Sequence, residues 1–161
     1  MVSMRILGID PGTATTGFGV IDADKGQLKF VAAGVIQTPA KEAMPQRLAT
    51  IEQCLLELIQ KYQPQEMAVE LLYFATNVTT AITVGQARGV VLLAGSKSHL
   101  RIGEYTPLQV KQAVTGYGKA DKRQIQEMVK TLLGLKQIPK PDDAADGLAI
   151  AITHAQNQSL G

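Results

Sequence analysis

The hydrophobic pattern changes period along the chain, and proline, glycine and capping residues mark the changes. Residues 4–9, 18–21 and 28–36 are short apolar or alternating stretches and predict three strands. The polar turn Ala23-Asp24-Lys25-Gly26 joins the second to the third, which makes an antiparallel meander. From residue 45 to 62 the period becomes helical, with Leu48, Ile51, Leu55, Leu58, Ile59 and Tyr62 on one face, and Pro64 stops it. Residues 67–70 predict a short strand ending in Glu70. Asn77 is placed to cap a long helix reaching about Gly95, and residues 101–105 predict a fifth strand. Thr106-Pro107 opens a helix through Val114, as an N-cap followed by proline at the first helical position. Asp121 with Gln124 forms a capping box ahead of a helix to Leu133. Pro139 and Pro141 then interrupt the chain before a last helix from Asp142 to about Gln156. Strands that are first antiparallel and then alternate with helices predict an α/β fold with a mixed five-stranded sheet flanked by helices. No repeat or linker divides it, so a single domain over residues 1–161 is expected.

Composition adds little to this until charge is mapped. With 161 residues, 45% of them apolar, the chain is long enough to bury a core. It contains no run of 18 apolar residues, and its first residues lack the apolar stretch of a signal peptide. The single cysteine, Cys54, excludes an internal disulfide and suits a reducing, cytoplasmic setting. It sits among apolar residues at helical spacing and reads as core filler. Net charge is only +2, yet residues 97–140 hold nine Lys or Arg against Glu104, Asp121 and Glu127. Residues 1–96 carry seven basic and eight acidic side chains. That asymmetry is the footprint of a polyanion-binding surface.

The chemistry lies in four acids. Asp10 ends the first strand, where Pro11 and Gly12 force a turn, and Glu70 ends the fourth. Asp143 and Asp146 are three residues apart and project from one face of the last helix near its start. That helix continues through Leu148, Ala149, Ile150, Ala151 and Ile152, so it must be buried, and carboxylates at its buried end need a cation. The helix dipole supplies only ~0.3–1 kcal/mol per acid. Divalent metal ions meet the need. Mg²⁺ takes oxygen ligands from carboxylates, and two such ions ~3.5–4 Å apart form a site for in-line phosphodiester cleavage. The set contains no His or Cys, which argues against zinc. Asp142 reads as an N-cap or a solvated residue, and His154, about 16 Å along the helix from Asp143, as a poor ligand.

The same residues carry a family resemblance. Gly8-Ile9-Asp10-Pro11-Gly12 with Thr16-Gly17, Glu70, Gly85-Gln86-Ala87-Arg88-Gly89, Val110-Lys111-Gln112 and Asp143-Ala144-Ala145-Asp146 resemble the RuvC family of Holliday-junction resolvases over residues 4 to about 156. The resemblance implies a ribonuclease-H-like fold and an Mg²⁺-dependent homodimer, with Mn²⁺ able to substitute, that cuts four-way DNA junctions symmetrically. It implies two ions per site held by Asp10, Glu70, Asp143 and Asp146, and a RuvA–RuvB branch-migration complex as partner. It also implies Lys111 and Lys122 as catalytic groups that approach the scissile phosphate, where a cation stabilises developing charge. Lys119, Arg123 and Arg88 are further candidates for DNA contact, Arg88 alternatively for a dimer interface. Tyr73 and Phe74 follow the Glu70 strand, and one of them, by preference Tyr73, is expected to stack on an unpaired base. Ala81, Gly85 and Gly89 recur every four residues and suit a close dimer contact, because a two-fold junction calls for two symmetric active sites.

Three alternatives remain open at this level. Asp-Pro-Gly-Thr followed by Thr-Gly also resembles the phosphate loop of sugar kinases and actin-like ATPases, which need two related domains. A junction-binding protein without catalysis would not need the full acidic set. A ribosomal-RNA-trimming nuclease of the same fold is disfavoured by the Gly85–Gly89 motif and the Asp143/Asp146 spacing.

Overall fold

The computed structural model describes residues 3–71 and 78–159. The elements run β1 (Met4–Asp10), β2 (Thr15–Asp24), β3 (Gln27–Gln37), α1 (Met44–Tyr62), β4 (Glu66–Glu70), α2 (Val78–Lys97), β5 (Arg101–Tyr105), α3 (Pro107–Thr115), α4 (Lys122–Leu133) and α5 (Asp142–Ser159). The five strands form one sheet in the order β3-β2-β1-β4-β5. β1, β2 and β3 pair antiparallel, while β4 joins β1 and β5 joins β4 in parallel.

Local chemistry accounts for most boundaries. The β2–β3 hairpin zips to the pair Asp24–Gln27, leaving Lys25 (φ 50°) and Gly26 (φ 83°) as a two-residue turn with both φ positive. That geometry matches the twist of the strands, and β2 runs three residues beyond its apolar stretch at each end, β3 one. Thr106 and Asp121 each complete a capping box, with Gln109 and Gln124 respectively. α1 ends on Gln63 in the left-handed region, one residue before Pro64. α2 runs through Gly95 to Lys97 rather than stopping there. A Cβ on Gly95 would lie 2.8 Å from Met67 Sδ, so the glycine serves packing and not termination.

Period-two alternation sends each strand's side chains to two cores. Leu7, Ile9, Val20, Met67 and Val69 pack with α1 and α2 on one side. Ile6, Ile21, Ala68 and Tyr105 pack with α5, α3 and α4 on the other. By length and composition alone, α2 is apolar enough to cross a membrane, with a mean hydropathy of 1.3. Its middle, however, carries Arg88, ion-paired with Glu104 of β5, and an arginine at a bilayer centre costs ~2.5–3.5 kcal/mol. Ala87, Val91 and Ala94 are instead buried against the sheet.

The placement of α5 decides the rest. A Cβ on Gly8 would lie 2.2 Å from the Gly147 carbonyl oxygen, and one on Gly19 2.5 Å from the Leu148 nitrogen. One on Gly17 would lie 1.9 Å from the Asp143 carbonyl oxygen. Backbone therefore meets backbone, which brings the start of the helix down onto the ends of β1 and β2.

Candidate active site

Asp10 and Glu70 stand at the carboxyl ends of the adjacent parallel strands β1 and β4, where open α/β sheets form their crevices. α5 begins beside them. Ligand oxygens of Asp10, Asp143 and Asp146 all lie within 4.8 Å of one another. Asp10, Glu70, Asp146, Lys111 and Lys122 line one cleft of about 320 Å³, with Pro107, Val110, Ile125, Ala149 and Ile150 as its other walls. A larger cavity of about 460 Å³ opens near Met4 at the other end of β1 and holds none of the four acids.

The turn after Asp10 is fixed from within. The buried Thr16 hydroxyl donates to the Gly12 carbonyl at 2.7 Å, and the Thr13 hydroxyl donates to the Thr83 carbonyl of α2 at 3.1 Å. The carboxylate is thereby held on rigid backbone rather than on a mobile loop.

Crowding changes the acids. Burial, followed by the charges of Glu70, Asp146 and Asp143, pushes Asp10 up to about 8. Burial and then Asp146 raise Glu70 to about 7. Asp146 is also raised, chiefly by burial, with Lys122 opposing. Lys122 Nζ lies 3.9 Å from Asp146 and 3.5 Å from the exposed Asp142, which occupies the first turn of α5. Half-buried carboxylates this close, with oxygen donors only, fit a hard divalent cation such as Mg²⁺.

A pH dependence follows. An acid raised in the folded state binds protons more tightly there than in the unfolded chain. Between the ordinary value of 3.8 and about 8, Asp10 therefore favours the folded state less as pH rises. Metal-free protein is expected to melt at a lower temperature near pH 8.5 than near pH 6, by roughly 2–8 °C, with Mg²⁺ closing most of the gap. Calorimetric melting with and without EDTA measures it; equal melting temperatures at both pH values would contradict the crowding.

The remaining candidates are distributed around this cleft. Lys111 is half-buried and Lys122 exposed, and both line it. Lys119 is exposed in the loop before α4, and Arg123 pairs with Glu127 at 3.2 Å. Arg88 is half-buried against Glu104, so its guanidinium is already engaged within the chain. Tyr73, Phe74 and the capping residue Asn77 lie outside the described residues. Ala81, Gly85 and Gly89 are exposed, and a Cβ on either glycine would meet nothing within 4 Å. They share their face of α2 with Val78, 75% exposed, and Ile82, 56% exposed. Tyr117, 54% exposed between Gly116 and Gly118, lies two residues before Lys119.

A mixed sheet in this order, with carboxylates gathered at the ends of its central strands under a buried helix, is a ribonuclease-H-like nuclease architecture. A family model for crossover junction endodeoxyribonuclease RuvC matches residues 6–154. The crossover junction endodeoxyribonuclease RuvC of Rubrobacter xylanophilus is 62% identical over 150 residues, covering 93% of this chain and 84% of the relative. That of Brevibacillus brevis is 60% identical over 153 residues, covering 95% and 92%. Among solved structures, Thermus thermophilus RuvC in complex with Holliday junction substrate superposes with a TM-score of 0.93 at 38% identity, covering 98% and 96% of the two chains. The yeast mitochondrial Holliday junction resolvase shares the fold at a TM-score of 0.71 and 17% identity, over 97% of this chain and 79% of that one. The chain belongs to the RuvC family of crossover junction endodeoxyribonucleases.

Proposed function

We propose that this protein is a structure-selective endonuclease that resolves four-way DNA junctions in recombination and repair. It makes two symmetric phosphodiester cuts that leave 5′-phosphate and 3′-hydroxyl ends. The observation that carries this reading is the cleft in which Asp10, Asp146 and Glu70 face Lys111 and Lys122, with Asp143 in the same carboxylate cluster. The junction-bound Thermus relative, alike over nearly the whole chain, supports the substrate.

Asp10, Glu70, Asp143 and Asp146 would hold two Mg²⁺ ions, with Mn²⁺ as a substitute. The bound metal supplies Lewis-acid charge at the phosphate and lowers the pKa of the attacking water. Asp10 and Glu70 must shed the protons that crowding lets them retain, so metal binding releases protons and strengthens with pH. Lys111 and Lys122 place positive charge beside the scissile phosphate, and Lys122 exchanges its carboxylate contacts for that group. Lys119, Arg123 and Tyr117 extend the contact along the strand. Val110, Ile125 and Ile150 form an apolar floor that limits water in the cleft.

The exposed α2 face is read as the homodimer interface, since Ala81, Gly85 and Gly89 allow close approach and Val78 and Ile82 supply apolar area. Ile82→Glu is expected to yield a folded monomer by light scattering that still melts cooperatively but no longer makes paired cuts. A dimer that survives Ile82→Glu would move the interface elsewhere. A RuvA–RuvB complex as partner and a cytoplasmic location follow from the same reading, and the lone cysteine suits a reducing compartment.

The deciding experiment offers a labelled synthetic four-way junction and a linear duplex of matching sequence, with Mg²⁺ or EDTA. Paired, ligatable nicks on the junction alone, lost with EDTA, are expected. Tight binding without cutting, or preference for structured RNA, would overturn the reading.

A further inference from the structure

Away from the cleft, a chain of buried polar groups joins the elements that carry the acids. The Glu66 carboxylate lies 2.5 Å from His154 Nε2, and His154 Nδ1 lies 2.7 Å from the Tyr105 hydroxyl. His154 is 1% exposed and Glu66 5%. Arg101 approaches the other Glu66 oxygen at 3.7 Å from the surface. Gly103, between Arg101 and Tyr105 on the same face of β5, makes the room. A Cβ there would lie 2.7 Å from both His154 Nδ1 and the Tyr105 hydroxyl.

Such a chain is an expensive way to fill a core. Buried ionisable groups cost desolvation, and apolar residues of similar volume are often neutral or better. What hydrogen bonds add is a defined register. α5 meets the sheet backbone to backbone at Gly8, Gly17, Gly19 and its own Gly147, beside non-directional apolar packing of Leu148, Ile150 and Ile152, and directional hydrogen bonds fix that contact more sharply. The three members are placed to supply them. Glu66 precedes Glu70 by four residues on β4, on the same face, and Tyr105 pairs with Glu70 across the β4–β5 ladder. His154 stands eight residues past Asp146 on α5, ~12 Å along the helix.

We propose that Glu66, His154 and Tyr105 are positioning residues that lock α5 against β4 and β5, and so set the spacing of Asp143 and Asp146 from Glu70 for divalent cation binding. The proposal rests on the metal-site reading above. It says that the fit for the cation is set partly from two turns away, by groups that touch neither metal nor DNA.

The test is Mn²⁺ affinity by titration calorimetry on the wild type and on Tyr105→Phe, His154→Leu and His154→Gln, beside junction affinity in EDTA and the melting temperature. Tyr105→Phe and His154→Leu are expected to bind Mn²⁺ about 10–100-fold more weakly, with junction affinity unchanged and His154→Gln closer to wild type. The metal concentration at half-maximal cleavage should rise by the same factor. Should His154→Leu fail to fold, Tyr105→Phe, which loses one hydroxyl, decides alone. Variants that melt earlier yet bind Mn²⁺ as tightly as wild type would make the chain merely structural and overturn the proposal. A wild type that binds no Mn²⁺ would instead overturn the metal-site reading and the proposal with it.

Discussion

Asp10→Asn is expected to lower junction cleavage by about 10³-fold or more while raising the melting temperature of the metal-free protein. Both effects come from one carboxylate. On the metal-site reading proposed above, its loss removes one ligand from the cluster, and a metal's charge stabilisation of several kcal/mol corresponds to about three decades in rate. The same loss relieves repulsion among buried acids, since Asp10 carries the largest upward shift of those with a stated value, to about 8. An asparagine amide of the same shape can donate to Asp146, where the carboxylate needed a retained proton to do so. Near pH 8.5, EDTA-treated Asp10→Asn should therefore melt roughly 2–8 °C above wild type. Single-turnover cleavage, junction binding in EDTA and calorimetry together check it. Retained cleavage would remove Asp10 from the machinery, and a lower melting temperature would contradict the crowding.

Gly17→Ala should be nearly as damaging although it changes no functional group. The added methyl would sit 1.9 Å from the Asp143 carbonyl oxygen and 3.0 Å from its Cβ. Backbone at a helix start cannot swing aside as a side chain can, so the first turn of α5 must lift from the sheet. Misplacement of reacting groups by ~1 Å costs about 10²-fold, and strain of this kind about 1–3 kcal/mol. Cleavage down by ~10²-fold with a modest fall in melting temperature is the expected pair, read by the same assays. Normal cleavage in Gly17→Ala would mean that the helix start has slack the structure does not show.

Much of this was legible before any fold was known, for local reasons. Strand and helix periods, the capping boxes of Thr106 and Asp121 and the Asp10-Pro11-Gly12 turn depend on neighbours within a few residues. Two strand ends carrying acids and two acids on one helix face were likewise fixed by position. Charges were harder to place. Sequence left Arg88 free for DNA or a partner, whereas Glu104, sixteen residues away, takes its guanidinium. Asp142, which reads as a cap or a solvated residue, is exposed in the first turn of α5, 3.5 Å from Lys122 Nζ. His154 reads from sequence only as a poor ligand candidate; its buried bond to Glu66 spans 88 residues and leaves no local trace.

Periodicity, turn stereochemistry and the cost of buried charge, all readable along the chain, already put residues at element ends, assign the apolar faces and point the acids towards a cation. Long-range packing set β1 between β2 and β4 and turned Gly8, Gly17 and Gly19 towards α5. It alone left the Ala81–Gly85–Gly89 face uncovered. Those are contacts between segments far apart in the chain, set by how closely one backbone can approach another, and no local pattern encodes that distance.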